Sequence, residues 1–271
     1  MQIIQSDPAR SVQPILSKCE GIDHEFLNQT LAKVWALADK HNFSSKSLYS
    51  CVDFAERFLT IQGFSSKQEF EEFWFVCLYI AAKVEEVTFP CYKVYLERLG
   101  LNRQKLLTLE HHIISVLQWK LTPLYTLHFF DIFISGMGLR QAIYSLGQQL
   151  IELLAATNRR TLWVPSLQAA GISYLCLNLS LSGSQPAKTT QEQILSDLST
   201  LTGFPSPVIL DTAHQIAELF GKFRARVESG THNTLEQIIS DKYHLGEYSG
   251  VGACCLSVTV KEEVDSSLLS K

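Results

Sequence analysis

Phe70-Glu71-Glu72-Phe73-Trp74-Phe75-Val76-Cys77-Leu78-Tyr79-Ile80-Ala81-Ala82-Lys83-Val84-Glu85-Glu86 is the stretch on which the fold turns. Its apolar residues do not alternate as they would in a half-buried strand. Instead they surround a helix on nearly every side from Phe70 to Val84. A helix that is hydrophobic all round belongs at the centre of a bundle. Gly63 precedes it as a stop, Ser65 and Ser66 offer N-caps, and Pro90 interrupts the pattern beyond its end.

Working outward, amphipathic helices flank this segment on both sides. Toward the N-terminus, one runs from about Asp23 to Asn42, with Leu27, Leu31, Val34, Trp35 and Ala38 on one face. A second begins at Ser44-Ser45-Lys46-Ser47, whose hydroxyls supply cap chemistry, and carries Leu48, Cys51, Val52, Ala55, Phe58 and Leu59. Beyond Pro90 a short helix is expected at about Tyr92 to Arg98. Asn102 then caps a fifth that runs to about Trp119, with Leu106, Leu109, Ile113, Val116 and Leu117 as its stripe. The second half repeats the layout: helices are expected over Leu124 to Ser135, Leu139 to Asn158, Ser166 to Leu181, Thr190 to Leu201 and Pro207 to about Val227. The reading is all-α, two tandem five-helix bundles. The expected divisions are 1–22, an N-terminal extension; 23–122 and 123–227, the two bundles; and 228–271, a mobile tail poor in apolar periodicity.

Composition narrows the function classes. The chain has 271 residues, 46% hydrophobic and 18% charged, with a net charge of −4, which is no footprint for electrostatic binding of nucleic acid. No apolar run reaches the roughly 18 to 20 residues of a membrane span, and Asp7 and Pro8 interrupt the place where a signal peptide would be apolar. Cys19, Cys51, Cys77, Cys91, Cys176, Cys254 and Cys255 are odd in number and lack CxxC or zinc-type spacing, so structural thiols of an intracellular protein, in nucleus or cytoplasm, are expected.

Catalytic patterns are missing too. Phosphate-binding glycine loops, nucleophile elbows and HExxH spacing do not occur. His111 and His112 are neighbours that diverge on a helix, and Glu71-Glu72 and Glu85-Glu86 are likewise adjacent, which spoils them as paired carboxylates. No enzyme activity, metal, cofactor or small-molecule substrate is expected. More informative are Lys83, one turn beyond Tyr79 and Ile80, and Glu110, which has Leu106, Leu107, Ile113 and Ile114 at its neighbouring helical positions. A charge on an apolar face is costly without partners. Two readings stay open from periodicity: each charge sits at the edge of its stripe, Lys83 pairing locally with Glu86, or the two meet and offer hydrogen bonds to another protein.

Several spaced motifs resemble the cyclin family. Ala81-Ala82-Lys83-Val84-Glu85-Glu86 is similar to the cyclin-box signature, and Glu110 with Val116-Leu117-Gln118-Trp119-Lys120-Leu121 is similar to the cyclin glutamate and the stretch that follows it. Glu56-Arg57-Phe58-Leu59 resembles the family's Asp-Arg-Phe-Leu element, and Trp163-Val164-Pro165-Ser166-Leu167-Gln168-Ala169-Ala170 resembles the opening of a helix in the second cyclin fold. The resemblance spans about residues 20 to 225 and implies a regulatory subunit that binds and activates a cyclin-dependent serine/threonine kinase as a heterodimer, in cell-cycle control, without binding nucleic acid or membrane. It places Lys83 and Glu110 at the centre of the kinase interface, with Ile80, Val84, Glu86, Ile114, Trp119 and Leu121 at other contact positions. The Ala-Ala-Lys-Val-Glu-Glu form is closer to D-type than to mitotic cyclins, although no LxCxE motif is present.

The chain also departs from the family. Leu27 stands where an arginine is usual and Glu56 where an aspartate is, so the family's buried Arg–Asp pair does not form in its usual way. Gln29, Thr30, Lys33, Ala36 and Lys40 replace apolar or acidic groups of the patch that docks RxL motifs, and such docking is expected to be absent or altered. Two other classes compete with the kinase regulator: a transcription-factor-type cyclin fold, which would want basic clusters beyond Arg159-Arg160, and a cyclin-fold scaffold that has lost its kinase.

Overall fold

The computed structural model describes residues 16–87, 102–135, 141–156, 163–182 and 191–242. Every element among them is helical: α1 His24–Lys40, α2 Ser45–Ile61, α3 Lys67–Glu85, α4 Arg103–Val116, α5 Thr126–Ser135, α6 Gln141–Ala156, α7 Pro165–Ser182, α8 Gln191–Thr202, α9 Ser206–Glu228 and α10 Thr234–Lys242. The short helix expected at Tyr92 to Arg98 lies outside the described residues. Two compact units emerge, one from Met1–His128, Glu152–Pro165 and Asn233–Ile239, the other from Phe129–Ile151, Ser166–His232 and Ser240–Lys271.

In the first unit α3 is the buried axis. Phe70, Phe73, Val76, Cys77, Leu78 and Ala81 have no exposed surface, and Trp74 has almost none. Phe58 of α2 packs on Phe73 with ring centroids 4.7 Å apart, and Phe64, in the turn between α2 and α3, lies 4.9 Å from Phe73. Phe58 and Phe73, both fully buried, contribute about 1.5–3 kcal/mol each through burial, plus a smaller term from aromatic geometry. Side-chain caps fix where the helices start. Asp23 accepts from the Phe26 amide at 2.8 Å, Ser66 from Glu69 at 3.4 Å, and Asn102 from Lys105 at 2.8 Å. The residues before α1 fold back over the α2–α3 turn. Glu20 donates its amide to the Phe64 carbonyl at 3.0 Å, and the Lys18 ammonium meets the carbonyls of Thr60 and Ile61 at 2.5 and 3.2 Å. That approach requires Gly63, because a Cβ there would stand 1.6 Å from the Lys18 carbonyl oxygen.

The fifth expected helix, α4, ends at Val116 rather than at Trp119. Gln118 and Trp119 take left-handed conformations with φ of 54° and 60°, which no helix continues. The Trp119 amide bonds back to the Ile114 carbonyl at 3.0 Å, and Arg57 donates from Nη2 to the Lys120 carbonyl at 2.8 Å while its Nε holds Asp53 at 2.7 Å.

In the second unit Phe130, Ala169, Ala170, Ile172, Cys176, Leu198, Ile209 and Ala213 are fully buried. Gly171 lets α7 run close to α9, since a Cβ at that position would already stand 3.2 Å from the Ala213 amide nitrogen. Glu152, near the end of α6, falls in the first unit; its fully buried carboxylate accepts from Trp35 Nε1 at 3.1 Å and Ser45 Oγ at 3.4 Å. Within the expected tail, residues 234–242 form a helix. Asn233 and Glu236 cap one another reciprocally at 2.8 and 3.1 Å, nucleating α10, whose Leu235 and Ile239 are buried. Residues 243–271 lie outside the described set.

Candidate functional site

α3 carries Lys83 in its last turn and α4 carries Glu110 in its middle. The bundle sets these helices side by side, and the Lys83 ammonium donates to Glu110 Oε1. Of the two open readings, the charges therefore meet. Their exposures are unequal: the Glu110 side chain is 10% exposed and the Lys83 side chain 42%. Glu110 is thus a carboxylate held at the edge of the core and neutralised from outside. Lys83 also stands 5.2 Å from the centre of the Tyr79 ring, which favours a cation over its face. An ammonium has three donors, so a lysine bonded to one carboxylate oxygen and open to solvent can still offer hydrogen bonds outward.

The other expected residues divide into four groups. Val84 is 43% exposed, beside Lys83 on the surface. Ile80 and Ile114 are buried at 1% and 8%, so they support the site from within the core. Trp119 is 69% exposed on the left-handed turn past α4, and Leu121 is half-buried beyond it. Glu86 has an unexpected environment. Its Oε1 accepts from the Ser44 amide at 2.7 Å, the Ser44 hydroxyl at 2.8 Å and the Ser47 hydroxyl at 2.5 Å. Ser44 is the N-cap of α2 but makes no side-chain cap bond of its own, since its hydroxyl serves Glu86. Glu85 accepts from the Ser50 hydroxyl at 2.6 Å.

Sequence reasoning did not count Leu107 among the contact residues; it lies on α4 just before Glu110 and is 42% exposed. The signal was its helical spacing from Glu110. Arg57 had no task either, and the arginine braces the turn that carries Trp119. Leu27 and Glu56, which replace the family's usual pair, are both buried.

On the face of α1, Thr30 is buried and returns its hydroxyl to the Phe26 carbonyl at 2.9 Å. Gln29 bonds Glu25 at 3.0 Å. Lys33, Ala36 and Leu37 line a hollow with Gln68, Glu71, Glu72 and Phe75 of α3. Its two carboxylates are engaged: Lys33 reaches Glu71 at 3.0 Å and Lys105 reaches Glu72 at 2.7 Å. Among the described residues no group of three or more His, Cys, Asp or Glu is placed to hold a metal, and no helix is long and apolar enough to cross a membrane.

An all-helical chain with these motifs in this order has the cyclin fold. It superposes on a viral cyclin from herpesvirus saimiri with a TM-score of 0.56 at 16% identity, over 73% of this chain and 87% of that one. A chain of the CAK complex from Chaetomium thermophilum bound to ATP-gamma-S matches with a TM-score of 0.55 at 14% identity, over 93% of this chain and 85% of that one. At such identities these likenesses establish the fold alone. In sequence, residues 4–122 match the family model for the cyclin N-terminal domain. The chain is 28% identical to Cyclin-A1-2 of Arabidopsis thaliana over 167 residues, 59% of this chain and 38% of that protein. It is 27% identical to Cyclin-D3-3 of the same plant over 121 residues, 41% of this chain and 34% of that protein. The matches thus span little more than a third of the length of these curated relatives, and A and D types match nearly equally. Residues 4–122 are thus similar to the cyclin N-terminal domain, and the chain has the cyclin fold.

Proposed function

We propose that the chain is the regulatory subunit of a cyclin-dependent serine/threonine kinase, which it binds as a heterodimer and activates in cell-cycle control, working in the nucleus or cytoplasm. The observation that carries this reading is the Lys83–Glu110 pair. It joins two core helices, is anchored at one end and open to solvent at the other, and has exposed Val84 and Leu107 on the same two helices. A few fixed charges among exposed apolar side chains make a recognition surface in which binding energy concentrates. Ile80 and Ile114 keep that surface rigid from beneath, and Trp119 and Leu121 extend it past the end of α4. Activation follows from differential affinity: a subunit that binds the kinase conformation with an assembled Lys–Glu ion pair shifts the kinase toward it.

Co-purification from extract of the source cells tests the proposal, comparing wild type with the Lys83→Ala, Glu110→Ala double variant and assaying the eluates for protein kinase activity. Recovery of an active kinase by wild type alone is the expected result. Recovery of no kinase by folded wild-type protein would instead identify a cyclin-fold scaffold.

A further inference from the structure

We infer that Glu86 is a positioning residue for the Lys83 surface rather than a contact to the partner; this rests on the reading of Lys83 and Glu110 as the interface. Its place in the motif, three residues after Lys83, makes it look like a second outward charge. The geometry points elsewhere. Glu86 is the C-cap of α3, where the backbone leaves the helix with φ −93° and ψ 136°. One of its carboxylate oxygens takes two hydroxyls and an amide from the start of α2, all between 2.5 and 2.8 Å.

Three donors on one anionic oxygen form a strong, directional clamp, because hydrogen bonds to a charged acceptor are shorter and stronger than neutral ones. The carboxylate also sits at the N-terminus of α2, where the helix dipole favours negative charge. Ser47 is fully buried, so its bond to Glu86 cannot be replaced by water without rearrangement. Glu85 repeats the arrangement one turn further along α2 through the fully buried Ser50. Two consecutive acidic residues at the end of α3 are thus bolted to α2, while Lys83, less than one turn earlier, reaches across to α4. The last turn of α3 is consequently held on one side by the serines, which fixes the origin from which the long Lys83 side chain extends. Ser44 and Ser47, which the sequence reads as cap chemistry, acquire a second function, and Ser50 joins them.

The test separates a clamp from a contact by perturbing it from the α2 side. Glu86→Ala, Glu86→Gln and the Ser44→Ala, Ser47→Ala pair are compared with wild type in two assays. One is amide hydrogen exchange over residues 83–86 in the isolated chain. The other is retention of the kinase that co-purifies with wild type. Glu86→Ala and the serine pair should each speed exchange by about tenfold or more and lower kinase retention to a similar degree, as expected for losing one or two charge-assisted bonds. Combining them should add little, and Glu86→Gln, which keeps an acceptor oxygen, should recover part of both. Loss of kinase with Glu86→Ala but not with the serine pair would overturn the inference, making Glu86 a contact. Unchanged exchange in Glu86→Ala would overturn it as well. Retention that is insensitive to Lys83→Ala and Glu110→Ala would sink the interface reading, and the exchange rates would still decide whether Glu86 fixes the turn.

Discussion

Glu110 has its carboxylate mostly within the protein and its counter-charge mostly outside it, so the two halves of the pair should respond differently to substitution. In the free chain the pair contributes little, about 0–1 kcal/mol, because Lys83 is well solvated. Under a partner the same ammonium is desolvated, and truncating one member then costs on the order of 2–5 kcal/mol. Lys83→Ala should therefore leave the melting temperature within a few degrees of wild type while lowering kinase affinity at least tenfold, as measured by calorimetric titration and thermal denaturation in parallel. Tyr144 makes a second prediction at this scale. Burial, and then its 2.5 Å hydrogen bond to Asp131, push the phenol up from 10.0 to about 12. The folded state holds this proton more tightly than the unfolded one, so its contribution to stability is complete below about pH 10 and fades between there and about 12. Tyr144→Phe should remove that part of the alkaline loss, seen by chemical denaturation across the same pH range.

Among elements, the helices are legible in the sequence wherever an apolar stripe meets a capping residue. α1, α3 and α4 begin one residue after Asp23, Ser66 and Asn102. The stop of α4 is not legible, because nothing in Gln118-Trp119 marks a left-handed turn. Neither residue is glycine, and the conformation is fixed from outside by Arg57 on the Lys120 carbonyl. For the same reason Lys83 and Glu110 stand out as charges on apolar faces, whereas the inward task of Glu86 does not: it depends on α2 serines some forty positions away. The hollow between α1 and α3 allows a prediction in line with the substitutions on α1. An incoming arginine would find Glu71 and Glu72 already paired with Lys33 and Lys105. A peptide carrying an RxL motif should show no saturable binding at micromolar concentrations in fluorescence anisotropy, and a well-defined isotherm would refute this.

For the whole molecule, the chain's late residues matter to its early ones. Asn233–Ile239 cluster with the first unit, and Leu235 and Ile239 are buried. The sequence carries only a brief signal of this: Glu236 stands three residues after Asn233, and Leu235, Ile238 and Ile239 have helical spacing, but a stripe of little more than one turn does not stand out from a polar tail. A chain ending at His232 should lose roughly 1.5–3 kcal/mol for each of the two side chains, and scanning calorimetry should show earlier unfolding than in the full chain. The left-handed exit from α4 has a different sort of consequence. Of four tryptophans, Trp35 and Trp74 are 1% and 2% exposed and Trp163 is half-buried, whereas Trp119 stands 69% in solvent. Its emission should be the reddest in the chain and the first to be quenched by iodide. A partner covering that indole would shift it to the blue and shield it, so the protein carries its own optical gauge of complex formation, with no dye attached.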